Sequence, residues 1–337
     1  MTDVPGDRTS TGRTTPSVAI GTAIVAVAAS LWATDVVFRR GLTETISATE
    51  IVFWEHVVLA VAVLPILVRA GARLRGLRPL DWLAVIVLGG GSSVAATILF
   101  TKALTVGGDP TTPLLLQKLQ PVFAVSFAWV LLGERVRPRY FWFLAAALVG
   151  SYLLVLDDAG RLAPSHASAP LLAVGAAVLW ALGTVLGKHL GARLRPSELT
   201  GMRFACGLPI AALLLLTRGG GGPVLSAQWS DAPSLVALAL VPGLIALLLY
   251  YRGLERTTAS AATLAELAFP ATALIVNAIA FGVTLGAVQV VGLLVLVATV
   301  TAMPLVMARD PSALARRGRR AAPPSPPPRA AEAGTRA

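Results

Sequence analysis

Charge is what this sequence has least of. Only 13% of its 337 residues are Asp, Glu, Lys or Arg, about half of the ~25% that covers a soluble domain. The charges that exist are segregated into short tracts between long apolar runs, which excludes an ordinary water-facing surface. Cysteine is nearly missing as well. The single thiol, Cys206, lies within an apolar run, so an intramolecular disulfide is excluded and the residue reads as small apolar packing. With three histidines in all and no His-Glu-x-x-His pair, no metal site is expected. A phosphate-cradling loop ending in Lys-Ser or Lys-Thr is also absent, so ATP is not the expected energy source and no cofactor is expected.

What remains is apolar length. Hydrophobic residues make up 55% of the chain and its mean hydropathy is +0.75. The runs are roughly 18 to 25 residues long, enough to cross ~30 Å of hydrocarbon as helices. Lipid leaves backbone N–H and C=O groups without partners, and strand-like alternation is absent, so the spans must be helical. The expected fold is an all-α polytopic membrane protein with about ten transmembrane helices. They fall near 17–38, 50–69, 81–104, 112–132, 139–157, 170–188, 197–217, 232–254, 258–283 and 286–307. These are called spans 1 to 10, and the loop after each span takes its number. Residues 1–16 and the basic, Pro-rich stretch 308–337 cannot bury a core and are expected to be disordered tails.

The net charge of +11 could suggest nucleic acid, but the arginines cluster in membrane-flanking loops and in the tail, so no nucleic-acid partner is expected. The lipid bilayer is. Loop 2 carries Arg69, Arg73, Arg75 and Arg78; loop 4 carries Arg135, Arg137 and Arg139; loop 6 carries Lys188, Arg193 and Arg195; loop 8 carries Arg252 and Arg256. Loops 3 and 9 have no basic residue, and loops 5 and 7 have only Arg161 and Arg218. Loop 1 runs against the pattern with Arg39 and Arg40. Basic loops stay in the cytoplasm, so both termini are expected there, in a multi-pass protein of the inner (cell) membrane.

Upstream Arg13 and the small-residue stretch Ala26-Val27-Ala28-Ala29 raise the possibility of a cleaved signal peptide. An internal repeat argues against it. A shift of 148 residues lays Leu31-Trp32-Ala33 on Leu179-Trp180-Ala181 and Thr49-Glu50 on Ser197-Glu198. Shifts of 149 to 150 pair Pro121 with Pro270, Lys102 with Arg252 and Leu104 with Leu254. Span 1 thus has a counterpart in span 6. The copies, 17–157 and 170–307, hold five helices each. Five is odd, so the second copy must sit upside down. Inverted repeats of this kind typify secondary transporters, with a site between the halves near the midplane.

Short motifs point the same way: Thr101-Lys102-Ala103-Leu104, Gln120-Pro121-Val122 and Leu132-Gly133-Glu134-Arg135 in the first copy, then Met202-Arg203-Phe204, Tyr251-Arg252-Gly253-Leu254 and Phe269-Pro270 in the second. On these the chain resembles the EamA type of the drug/metabolite transporter superfamily over residues 22–156 and 172–306. The resemblance implies a transporter of small molecules. The chain departs from the family's pattern where Glu55 replaces a usual Arg, where Phe269 stands in place of a carboxylate before Pro270, and where Gly282-Val283 lacks a Gly-Glu ending.

A charge inside a membrane helix costs about 2.5 to 3.5 kcal/mol on insertion scales, so it must be paired or line water. Gln117 and Lys118 precede Pro121, and Glu266 precedes Pro270. Each proline removes the hydrogen bond to the carbonyl four residues back, which belongs to Gln117 or Glu266. A freed carbonyl beside a polar side chain can line a cavity, or mark only a kink satisfied by a neighbouring helix. Lys118 suits an anionic group, an ion pair with Glu266 or Glu55, or snorkelling to the surface. Glu55 and Glu266 are candidates to carry a coupled proton. Trp32 and Trp180, matched in the repeats, are candidate cavity walls. Arg203 is a gate residue or an anionic-lipid anchor, while Asp35, Lys102 and Arg252 read as helix-end anchors.

Enzyme signatures fail. Gly90-Gly91-Ser92-Ser93 lacks the closing glycine of a rhomboid-type nucleophile turn, and Val106-Gly107-Gly108-Asp109 is not the Gly-x-Gly-Asp of intramembrane aspartyl proteases. The expected function is export of a small polar or amphipathic, amino-acid-like metabolite, driven by protons or another coupling ion. Uptake, multidrug efflux and, from another class, a membrane-embedded enzyme are the alternatives. The topology is testable directly. In a Cys206→Ser background and intact cells, a membrane-impermeant thiol reagent should label a cysteine at position 108 and not one at 73. The reverse pattern would invert the orientation.

Overall fold

A computed structural model describes residues 15–106, 113, 116–155, 168–217, 225–282 and 284–308. Most of the predicted tails and the Gly107-Gly108-Asp109-Pro110 loop lie outside them. Among the described residues every regular element is helical. Helices α1 (Thr15–Trp32) and α2 (Asp35–Leu42) form span 1, and α3 (Ala48–Leu74) forms span 2. In span 3, α4 (Pro79–Ile86) runs through a π-helical stretch, Val87–Ala95, into α5 (Ala96–Val106). Spans 4 to 7 are α6 (Gln120–Leu132), α7 (Pro138–Val155), α8 (Ser168–Leu190) and α9 (Pro196–Leu216). Span 8 repeats the plan of span 3, with α10 (Ala232–Leu238), a π stretch Ala239–Ile245 and α11 (Ala246–Arg256). Span 9 is split into α12 (Ala259–Ala265) and α13 (Ala268–Phe281), and α14 (Ala287–Ala308) is span 10.

The local sequence explains the irregularities. Pro242 sits inside the second π stretch, where a missing N–H and a ring clash widen the helix. Gly89-Gly90-Gly91 occupies the first. Spans 2, 3 and 7 open on an acid in the first turn, and Asp231 stands just before α10, where helix N–H groups are free. Asp81 accepts from the Arg78 N–H at 3.0 Å, Glu198 from Arg195 at 2.9 Å and Asp231 from Gln228 at 2.8 Å. Both α6 and α13 end on a left-handed glycine, Gly133 (φ 64°) and Gly282 (φ 65°), the conformation that terminates a helix without a Cβ penalty.

Packing pairs span 1 with 8, 3 with 6, 2 with 7 and 5 with 10. Exchanging each span with the one five places on returns the same set, so a two-fold axis relates the halves. Spans 1 and 6 lie five crossings apart and run antiparallel, which puts that axis in the membrane plane. The repeats are inverted. Even-numbered loops meet at one end, where Arg73 reaches Glu198 at 3.0 Å and Arg193 grips Asp81. Odd-numbered loops meet at the other, where Glu50 accepts from the Ser226 and Ala227 N–H groups and Arg40 lies 4.6 Å over the Phe281 ring.

One expectation needs correction here. Span 1 does not end at residue 38, and Arg39 is not a loop charge. Helix α2 carries it inward, 13% exposed, with Nε 2.6 Å from Asp35 and Nη2 3.2 Å from Glu55. One of the two charges that ran against the loop asymmetry is therefore neutralised inside the protein.

Helices without a hydrophobic drive between them associate by close backbone approach at small residues. A Cβ on Gly253 would stand 2.6 Å from the Gly21 carbonyl oxygen and 2.9 Å from the Val25 nitrogen. One on Gly292 would stand 2.8 Å from the Gly150 carbonyl oxygen. The counterpart of the Gly21–Gly253 crossing is Ala169 with Ala103, both fully buried. Gly253→Ala should therefore cost about 1–3 kcal/mol through overpacking. Gly71→Ala, whose Cβ would meet nothing within 4 Å, should cost nothing. Thermal unfolding of the two variants in detergent checks this, and equal melting temperatures would sink it.

Candidate functional site

The break in span 9 builds the site. Pro270 has no N–H to offer the Glu266 carbonyl, so α12 ends at Ala265 and α13 begins at Ala268. The freed-carbonyl argument fails at Glu266: the Phe269 N–H turns back onto that carbonyl at 3.0 Å. In span 4 the Leu119 carbonyl accepts from Val122 at 2.9 Å and from Phe123 at 3.3 Å. At the span 9 joint a tighter turn thus satisfies the carbonyl that a regular helix would have left bare. What the span 9 joint does deliver is the Glu266 side chain, just ahead of the N-terminus of α13, where a negative group is favoured.

Four spans from both halves converge on that carboxylate. The Tyr250 hydroxyl donates to Glu266 Oε1 at 2.7 Å, the Thr184 hydroxyl lies 3.2 Å from the same oxygen, and Gln120 Nε2 donates to Oε2 at 2.6 Å. Tyr250 Oη and Thr184 Oγ1 are themselves 2.8 Å apart. Three donors satisfy an ionised carboxylate in a medium that cannot. Hydroxyls rotate and can accept as well as donate, so the same partners also suit the protonated acid. The group can exchange a proton without being dismantled.

Aromatic rings extend it. Tyr250 lies 5.1 Å from Trp32 and 5.5 Å from Tyr251 between centroids. The Tyr251 hydroxyl accepts from Arg203 Nη1 at 3.0 Å, and Arg203 Nε donates to Ser93 Oγ at 2.5 Å. Ser93 sits on the first π stretch, which Ser92 ties to span 6 by donating to the Leu179 carbonyl at 2.6 Å. Trp180 packs 5.3 Å from Phe100. Shifts of 148 and 150 place Trp180 and Phe100 opposite Trp32 and Tyr250, so each repeat contributes one such pair.

Lys118 is 4% exposed, with Nζ 3.0 Å from Gln117 Oε1 and 4.9 Å over the Phe269 ring. Among the described residues no ion pair joins it to Glu266 or Glu55. Gln120 and Lys118, on span 4, thus meet Glu266 and Phe269, on span 9, at one crossing, and among the described residues the two charges are not joined. Glu55 and Asp35 bind Arg39 instead of the Glu266 group. Arg203 is held between helices by Ser93 and Tyr251 rather than turned towards lipid headgroups. Lys102 and Arg252 are exposed near the ends of α5 and α11. A cavity of about 230 Å³ lies at the even-loop end, beside Tyr251 and Leu199. Gln117, Lys118 and Glu266 do not line it.

Thr184 and Tyr250 were not singled out from the sequence, and Tyr251 and Ser93 were noted only within motifs, not as site residues. Two signals were available for some of them. Thr184 follows Trp180 by four residues and shares its helical face, and Tyr250 falls opposite an aromatic residue when the repeats are aligned.

The profile of the EamA-like transporter family matches residues 19–156 and again 167–303. The riboflavin transporter ImpX of Fusobacterium nucleatum subsp. nucleatum is 28% identical over 197 residues. That match covers 56% of this chain and 64% of ImpX, under two thirds of its length. A protein of known crystal structure shares the fold with a TM-score of 0.69 over 88% of this chain and 98% of its own, at 20% identity. With one profile match on each five-helix repeat, the chain belongs to the EamA-like transporter family.

Proposed function

We propose that the protein is a secondary transporter exporting a small polar or amphipathic, amino-acid-like metabolite across the cell membrane by alternating access. The observation that carries this reading is Glu266, a carboxylate at the span 4–span 9 crossing that draws its partners from both halves. Lys118 supplies the opposite charge at the same crossing without pairing to it. A molecule bearing an amine and a carboxylate could satisfy both at once. Glu266 also suits the role of proton carrier, because its partners accommodate either protonation state. The basic even-numbered loops support a cytoplasmic location for their end and for both termini.

A second reading is favoured by two observations, the riboflavin transporter among the relatives and the paired rings of Trp32 with Tyr250 and Trp180 with Phe100. The substrate would then be a planar heteroaromatic compound, read along its edge by Glu266, Gln120 and Thr184.

Metabolite profiling of cells lacking and overproducing the protein tests both. The expected result is one accumulating or depleted solute, amino-acid-like on the first reading and flavin-like on the second. Glu266→Gln should erase the overproduction phenotype. A carboxamide retains hydrogen-bond partners in Tyr250, Thr184 and Gln120, so its stability should stay within about 1 kcal/mol of the parent. Lys118→Met should erase the phenotype too, at unchanged expression. A solute change that survives both substitutions would remove the two charges from the site.

A further inference from the structure

The ends of the molecule are fastened differently. At the even-loop end two ion pairs cross from one half to the other. Arg73, at the end of α3, reaches Glu198, in the first turn of α9, at 3.0 Å. Arg193, in loop 6, grips Asp81, in the first turn of α4, while His189 Nε2 stands 3.4 Å from the other Asp81 oxygen. Asp81 is fully buried and Arg193 about one third exposed. At the odd-loop end the halves meet through Glu50 with Ser226 and Ala227 and through Arg40 over Phe281. Among the described residues no ion pair crosses the halves there.

Loop 6 is more than a connector. Gly191, Leu194, Pro196 and Leu199 form one wall of the 230 Å³ cavity, and Tyr251 and Leu254 stand across from them. The cavity offers little to grip a solute. Lys188 is occupied capping the end of α11, donating to the Leu254 carbonyl at 2.7 Å and to the Glu255 carbonyl at 3.2 Å. Its volume holds about eight waters at ~30 Å³ each. Its deep side is the Tyr251 ring, which leans on Gly187, where a Cβ would come within 2.7 Å. Beyond Tyr251 stand Tyr250 and then Glu266. A mostly apolar space, with Lys188 turned onto carbonyls and Glu255 in its lining, roofed by a loop and floored by the tyrosines that lead to the buried carboxylate, has the form of a vestibule.

We propose that loop 6 is the gate at the even-loop end, latched by Arg193 on Asp81 and Arg73 on Glu198, and that its release connects the vestibule to the Tyr251–Tyr250–Glu266 group. Rocking of one repeat against the other, the usual motion of inverted-repeat carriers, must part these cross-half pairs. The inference rests on the transport reading, but its test needs no substrate.

The purified full chain in detergent, Cys206→Ser, receives a single cysteine at Leu199 in the cavity wall or at Ala211, a buried position on the same helix. Labelling by an impermeant maleimide is timed in each. With Arg73→Gln and Arg193→Gln together, labelling at 199 should quicken roughly tenfold, the factor that ~1.4 kcal/mol gives, while 211 stays protected. Arg193→Lys, which keeps a cation at the latch, should label at 199 nearly as slowly as the parent. Unchanged labelling at 199 in the double variant would overturn the proposal. So would equal quickening at 199 and 211, because that is general loosening. A solute profile that ignores Glu266→Gln would refute the transport site while leaving this result standing.

Discussion

Hydrocarbon offers no hydrogen bonds, so each charge carried into the membrane must find its partner within the protein, and that demand organises the interior. It explains why Arg39 lies clamped between Asp35 and Glu55 rather than in solvent. It explains why Glu266 draws on three spans besides its own, and why Arg203 turns inward to Ser93 and Tyr251. The same rule governs the backbone. Where Pro270 denies Glu266 a helical partner, Phe269 supplies the bond instead, and the residue gains a joint that projects its side chain between the halves. Lys118 is the exception. Among the described residues its ammonium meets an amide oxygen and a ring face, and no carboxylate pairs with it at a crossing that also holds Glu266.

The ten spans could be read from the sequence because lipid enforces long uninterrupted apolar runs, and the odd number of spans per repeat fixed the inversion. The breaks were less visible. Nothing in Ala33-Thr34 announces that α1 and α2 are separate helices, and only the partners of Arg39, sixteen residues apart in one case, show that span 1 runs on to Leu42. At the site, Glu266 stood out as a charge in an apolar run beside a proline. Thr184 and Tyr250 did not, because a threonine and a tyrosine on apolar helices carry no anomaly of their own. They join the Glu266 group through contacts 82 and 16 residues away in sequence. The carbonyl argument drew attention to Glu266 by a step that the structure does not support, since it ignored the short turn a broken helix can make.

The halves share an architecture while dividing the chemistry. Opposite Tyr250 is Phe100, opposite Thr184 is Val36 and opposite Glu266 is Gln117, so the polar group exists once, built mainly on the second repeat. The first repeat keeps a different asset. Glu134, after the Gly133 turn, accepts from the Ala259 and Ser260 N–H groups at 2.9 and 3.2 Å and caps the helix that ends at Glu266. Gly282 ends its helix with the same left-handed turn but is followed by Val283 rather than an acid. One repeat thus steadies the segment on which the other displays its carboxylate.

Symmetry also constrains the energetics of any motion between the halves. Were the two sequences identical, opening at either end would produce states related by the two-fold axis and of equal free energy, and neither would be preferred. The preference must come from differences between the repeats, and the ends are where those differences concentrate. Asp81 and Asp231 cap matched helices, but Arg193 faces the first, whereas its counterpart in the repeat is Thr45. A half-exposed ion pair is worth about 0–1 kcal/mol, so two such pairs shift a two-state balance by roughly tenfold and not by the ~10⁴ that a ligand must supply to move it from 1:99 to 99:1. Loop chemistry of that size can set a resting state without obstructing a cycle, which leaves any larger switching energy to a bound ligand.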